Sequence, residues 1–176
     1  MRIRPQVLSD TDHVWDLLSA AFADGGRAAR LAEALLDRSS RIALVAEADD
    51  SVVGHLQLSR SWLDTARRVV EVLVMGPVGV SPDWQRQGIG TQLIEAGMRE
   101  AESREAPLVW LEGDPRIYPP FGFTRGGERG FRAPSVRIPA ASFLVATLPK
   151  WEPWMVGGLV YPDEFWIHNC VGPRRR

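Results

Sequence analysis

A pair of glycines sits where a strand-like run gives way to a helical pattern, in Gln85-Arg86-Gln87-Gly88-Ile89-Gly90. The apolar run ends at Val80, and helical spacing begins near Gly88. A helix start leaves N–H groups unpaired and carries partial positive charge. Glycines one residue apart let a ligand approach those amides closely, so an anion is the expected occupant. The chain must therefore fold so that a helix N-terminus opens beside the end of a strand.

The rest of the chain reads as alternating strands and helices. Residues 1–4 form a short strand ended by Pro5. Ser9 or Asp10 caps a helix with Val14, Leu17, Leu18, Ala21 and Phe22 at helical spacing. Gly25-Gly26 breaks it, and a second helix runs over 28–38 with Leu31, Leu35 and Leu36 on one face. Strands at 42–48 and 52–58 flank the Asp49-Asp50 turn as a hairpin. Residues 60–68 read as a loop, and 69–80 as a strand interrupted by Gly76-Pro77 and Gly79, where a bulge is expected. The helix at 88–102 has Ile89, Leu93, Ile94, Gly97 and Ala101 as inner positions. A strand at 108–111 follows. Asp114-Pro115 suits the cap and first position of a short helix. Residues 121–123 return to strand, and 143–148 form the last clear one.

One domain accounts for 176 residues, and 45% hydrophobic residues supply its core. A net charge of −1 gives no field for nucleic acid or an anionic membrane. No apolar run reaches membrane-spanning length, and the N-terminus has no apolar signal region, so a cytoplasmic protein is expected. Arg174-Arg175-Arg176 reads as a solvated tail. The single Cys170 excludes an intrachain disulfide. His13, His55 and His168 lack metal-ligand spacing, so no metal is expected.

Two nucleotide readings of the glycine motif fail. A P-loop needs a lysine after its second glycine, but this chain has Gly90-Thr91-Gln92. The dinucleotide fingerprint needs a third glycine, where Leu93 stands, and a tight turn, where residues 81–87 intrude. The segment Val78-Gly79-Val80-Ser81-Pro82-Asp83-Trp84-Gln85-Arg86-Gln87-Gly88-Ile89-Gly90-Thr91-Gln92-Leu93 instead resembles the acetyl-CoA-binding segment of the GCN5-related N-acetyltransferases (GNAT). Tyr118-Pro119-Pro120-Phe121-Gly122-Phe123 matches a second family segment, in the right order. Ile3-Arg4-Pro5 and Ala20-Ala21-Phe22 are similar too, so the resemblance covers residues 1–148. Gly113-Asp114-Pro115 and Tyr161-Pro162-Asp163 resemble a bacterial subgroup of predicted acetyltransferases.

The resemblance implies an α/β (α+β) fold with a mixed, mostly antiparallel sheet flanked by helices and splayed central strands. Residues 149–176 would be a Trp- and Pro-rich extension packed on that domain. Acetyl-CoA would be held by Val78, Gly79, Val80, Gln85, Arg86, Gln87, Gly88, Ile89, Gly90 and Thr91. Its pyrophosphate would meet the loop amides, its pantetheine arm would dock along the strand like an added strand, and its acyl carbonyl would lie near the Val78 amide. Tyr118 would protonate the leaving sulfur, although a packed aromatic fits the same residue. The base is open: Glu112 at a strand end is the leading candidate, with a water relay or an already neutral amine as alternatives. Glu71 lies further up its strand; His55 reads as structural and Asp114 as a cap.

The expected reaction is direct acetyl transfer to an amine, of a small molecule or a peptide. Cys170 lies far in sequence from both motifs, which argues against an acetyl-cysteine intermediate. A non-catalytic acyl-CoA sensor, a longer acyl chain and a hydroxyl acceptor are the alternatives. Trp62, Trp84, Trp110, Trp151, Trp154 and Trp166 serve as core or as substrate contacts, and the tail as a roof or a homodimer contact. Residues 59–68 and 126–134 are the candidate acceptor loops.

Overall fold

A 15-residue strand, Ser51–Thr65, organises the molecule. In the computed structural model, which describes residues 1–38 and 40–173, its first half pairs with one neighbour and its second half with another. The elements run β1 (Arg2–Pro5), α1 (Thr11–Phe22), α2 (Arg27–Arg38), β2 (Ser40–Ala48), β3 (Ser51–Thr65), β4 (Val69–Val80), α3 (Ile89–Ser103), β5 (Leu108–Glu112), β6 (Thr124–Arg125), β7 (Phe143–Thr147), β8 (Gly157–Val160) and α4 (Asp163–Ile167). The sheet order is β1-β2-β3-β4-β5-β7-β6, with β8 joined to β3. Among these pairings only β4–β5 is parallel. The terminal arginines lie outside the described residues.

Strand alternation sends successive side chains to opposite faces. Leu56, Leu58, Leu73, Met75, Val109 and Leu111 meet Ile89, Leu93 and Ile94 of α3 on one face. Gly97 brings α3 close, since a Cβ there would stand 2.8 Å from Leu56 Cδ2. All five inner positions expected for α3 are buried. On the other face Leu31 and Leu35 of α2 join Val72, Val74, Trp110 and Val145, while α1 adds Val14, Leu17 and Leu18 against Val45. This face also carries an unusual row. His55, Gln57, Ser59 and Ser61 alternate along β3 and are fully buried.

Two features open the sheet. Leu56 pairs with Val78 and Leu58 with Met75, so β4 spends one residue more than β3 and bulges at Gly76-Pro77, as expected. The β4–β5 ladder contains only Leu73–Val109 and Val74–Trp110. Beyond Val74 the strands part, and β4 continues alone to Val80.

Several local expectations are corrected. Residues 60–65 continue β3 instead of looping, because Trp62 and Leu63 find partners on both β4 and β8. Thr65 then holds the turn, its hydroxyl accepting from the Arg67 and Arg68 amides. Residues 121–123 are not a strand. Pro119–Phe121 forms a single 3-10 turn, and pairing resumes at Thr124. Asp114 starts no helix; its carboxylate accepts from the Arg116 amide and guanidinium within a turn. Phe143–Thr147 is not the final strand, since β8 follows it. Asp10 stands at the N-cap of α1 without capping it by side chain. Its carboxylate accepts from Arg4 and the Val7 amide instead. Phe22, expected on the inner face of α1, is exposed.

Candidate active site

The open seam between β4 and β5 has a cavity at each end. The outer one, of about 560 Å³, lies at the α3 N-terminus and is lined by Val80, Gln85, Arg86, Gly88, Gly90 and Thr91, with Ile117 and Phe121 across from them. Gly88 is the N-cap of α3 at φ 81°, a left-handed conformation that favours glycine. The amides of Ile89, Gly90 and Thr91 have no acceptor within the helix. Gln85 Nε2 donates to the Val80 carbonyl at 3.1 Å and ties the loop back to β4. Arg86 is exposed beside this opening. The anion-binding geometry expected of residues 85–91 is thus assembled.

Val78, Gly79 and Gln87 stand differently. Val78 lines the inner cavity. Gly79 faces α1, where a Cβ would lie 2.7 Å from Leu18 Cδ2, so its lack of a side chain serves packing. Gln87 turns back to donate to the Asp83 carbonyl at 3.4 Å.

The inner cavity, of about 360 Å³, gathers Glu112 and Tyr118 with Met75, Gly76, Pro77 and Val78 of the bulge. Phe22, Leu31 and Phe165 add apolar wall, and Asp24 and Tyr161 add polar groups. The seam thus runs from Gly88 past Val80 and Val78 to Tyr118 and Glu112. The segment carrying Ile117 and Tyr118 serves both ends. Gly113 makes room for it, since a Cβ there would collide with the Tyr118 ring.

Burial and the nearby Asp114 charge push the Tyr118 hydroxyl above its ordinary value, so it is protonated at neutral pH. Burial likewise lifts Glu112, opposed by the Gly172 amide, the Tyr161 hydroxyl and Arg137. Gly172 N–H donates to Glu112 Oε2 at 3.0 Å, while Oε1 is buried without a full hydrogen bond. His55 is fully buried, and burial drops it to about 3. Its Nε2 hydrogen-bonds Gln6 Oε1 at 3.1 Å, which fits the structural reading.

Sequence distance misleads for Cys170. It lines the inner cavity, yet burial, reinforced by Asp24, pushes its thiol up to about 11. A protonated thiol is a poor nucleophile, so the earlier conclusion survives for a different reason. None of the tryptophans lines this cavity, nor do residues 59–68 or 126–134. Trp110 is core, stacked on Phe143 at 4.9 Å. The residues that do line it, Phe22, Asp24, Tyr161 and Phe165, were not expected there. The one sequence signal for them was Tyr161-Pro162-Asp163. Among the described residues no group of three His, Cys, Asp or Glu side chains is placed to hold a metal ion, and no helix is long and apolar enough to cross a membrane.

A mixed sheet parted beside a helix N-terminus, with a cavity at each end of the seam, defines the acyl-CoA N-acyltransferase fold. The structure of YhbS from Escherichia coli in complex with CoA superposes with a TM-score of 0.84 at 24% identity, covering 93% of this chain and 91% of that one. A GNAT family acetyltransferase from Brucella melitensis in complex with acetyl-CoA gives 0.76 at 25% identity, covering 93% and 97%. In sequence the chain is 27% identical over 129 residues to the uncharacterized N-acetyltransferase YjhQ of Escherichia coli K12, covering 72% of this chain and 71% of that protein. The acetyltransferase (GNAT) domain matches residues 2–126. The chain belongs to the GNAT acetyltransferase family, and is an acetyl-CoA-dependent acyltransferase of that family.

Proposed function

We propose that this protein moves an acetyl group from acetyl-CoA, bound along the β4–β5 seam, to a small amine held in the inner cavity. The observation that carries this reading is the placement of Tyr118 and Glu112 in one cavity beside Val78. In this reading the pyrophosphate sits on the amides of residues 87–91, with Gln85 and Arg86 beside it. The pantetheine arm follows Val80 and Gly79 along the unpaired edge of β4. The thioester carbonyl takes the Val78 amide as its oxyanion donor.

The amine nitrogen attacks the thioester carbon, forming C–N while the carbonyl oxygen takes the charge. Glu112 accepts the proton that nitrogen sheds; its lifted pKa strengthens it as a base. Collapse breaks C–S, and Tyr118 donates its proton to the departing sulfur. The products are an amide and CoA thiol. Phe22, Leu31, Met75, Pro77 and Phe165 favour an acceptor with an apolar body behind one amino group. Asp24 is committed to α2, accepting from the Arg27 and Ala28 amides, which leaves Glu112 to meet the amine.

The test is free-thiol release from acetyl-CoA across an amine panel that includes phenethylamine and a lysine peptide. Release with small apolar amines is expected, and it should vanish with acetyl-CoA binding in the Gly88→Glu, Gly90→Glu double variant. Retained binding in that variant would remove the loop from the account.

A further inference from the structure

Residues 161–172 are tied to Glu112 more closely than a surface tail requires. Tyr161 is 3% exposed, packs on Phe165 at 4.7 Å, and presents its hydroxyl to the Glu112 carboxylate. Gly172, sixty residues downstream of Glu112, donates its amide to Oε2. That amide is itself held in place. Gly172 sits at φ 58°, and a Cβ there would stand 2.7 Å from the Arg137 carbonyl carbon. The Arg137 guanidinium donates to the Val171 carbonyl at 2.8 and 3.2 Å. A carboxylate at the end of a strand is free to choose rotamers; this one is gripped by groups from another part of the chain.

The geometry points to Tyr161 as a positioning residue for acetyl transfer, its hydroxyl and the Gly172 amide holding the Glu112 carboxylate so that Oε1 is left to accept the proton of the incoming amine. This rests on the reading of Glu112 as proton acceptor. The titratable and charged groups around Glu112 are Tyr161 before α4, Arg137 from the segment after β6, and Cys170 from the tail. Asp24 and Arg27 from the α1–α2 turn and Tyr118 share its cavity. Of these, Tyr161 offers a neutral donor whose loss leaves every formal charge in place.

The experiment measures the Glu112 titration by 13C NMR on glutamate-labelled full-length protein, the Glu112 resonance being the one missing from Glu112→Gln. Tyr161→Phe keeps the ring and removes a donor that favours the ionised carboxylate. The Glu112 midpoint should therefore move to higher pH, by about one unit, with thermal stability and acetyl-CoA affinity little changed. An unmoved midpoint overturns the proposal. The acid limb of kcat/KM with acetyl-CoA and phenethylamine should move in step, about tenfold slower at a pH below both limbs. If Glu112→Gln leaves that limb in place, the proton-acceptor reading falls and Tyr161 falls with it. If Glu112→Gln abolishes it while Tyr161→Phe leaves it unshifted, only the positioning role is lost.

Discussion

At the scale of single residues, the two predicted catalytic side chains became legible for different reasons. Tyr118 was readable because it sits in a dense local motif, Tyr118-Pro119-Pro120-Phe121-Gly122-Phe123. Glu112 was readable only as the end of a strand; its partners Tyr161 and Gly172 lie far along the chain, and no local spacing marks such a contact. Cys170 shows the same limit, since separation in sequence gave no hint that it lines the inner cavity. Tyr118→Phe should cut kcat by about 10²-fold, the low end for loss of a general acid, with the acetyl-CoA Kd unchanged in a binding titration. Glu112→Gln should show the opposite sign in stability. A carboxyl lifted by burial has more bound proton in the folded state than in the unfolded chain. Folding stability therefore falls as pH rises from the unfolded carboxyl value through the folded one, and the cost is complete above it. At pH 8 the Gln variant should melt no lower than the wild type, while turning over far more slowly.

At the scale of elements, the periodic pieces read correctly and the junctions did not. The inner face of α3 was legible because 3.6-residue spacing of Ile89, Leu93, Ile94, Gly97 and Ala101 has one explanation. The second half of β3 was not, because Arg60, Ser61, Asp64 and Thr65 look like loop residues. What makes them strand is tertiary: β4 and β8 both pair there. Close α3–sheet approach should be sensitive to bulk. Gly97→Val places new atoms against Leu56 and Leu58, whose methyl carbons already lie 2.8 and 3.1 Å from a built Cβ. The expected loss is about 1–3 kcal/mol by chemical denaturation, the usual range for overpacking. The polar row on β3 works in the other direction. Ser61 Oγ is buried with no hydrogen-bond partner among the described residues. Ser61→Ala should therefore hold or raise the denaturation midpoint, since an unsatisfied buried hydroxyl costs free energy.

For the whole molecule, acid should weaken the fold in two stages. His55 is held neutral down to about 3, whereas the unfolded chain takes up that proton near 6.5. The unfolded state then binds more protons across that window, so stability falls as pH drops below about 6.5. Asp10 follows at lower pH. Its hydrogen bonds from Arg4 depress it, so its contribution is present above the unfolded carboxyl value and lost as pH falls through the folded one. Melting temperature measured from pH 8 to pH 4 should decline from about 6.5, and a His55→Gln variant should lack the first part of that decline. The fold as a whole was legible because two motifs and the bulge lie in the continuous stretch 76–123. The inner cavity was not, since its walls come from 22–31, 74–78, 112–118, 161–165 and 169–173. That difference has an evolutionary consequence. The cosubstrate end of the seam is inherited nearly as one cassette, so drift there is constrained as a block. The acceptor end is a mosaic of distant segments, each free to change alone, so substrate preference can wander in small independent steps while the transfer chemistry stays fixed.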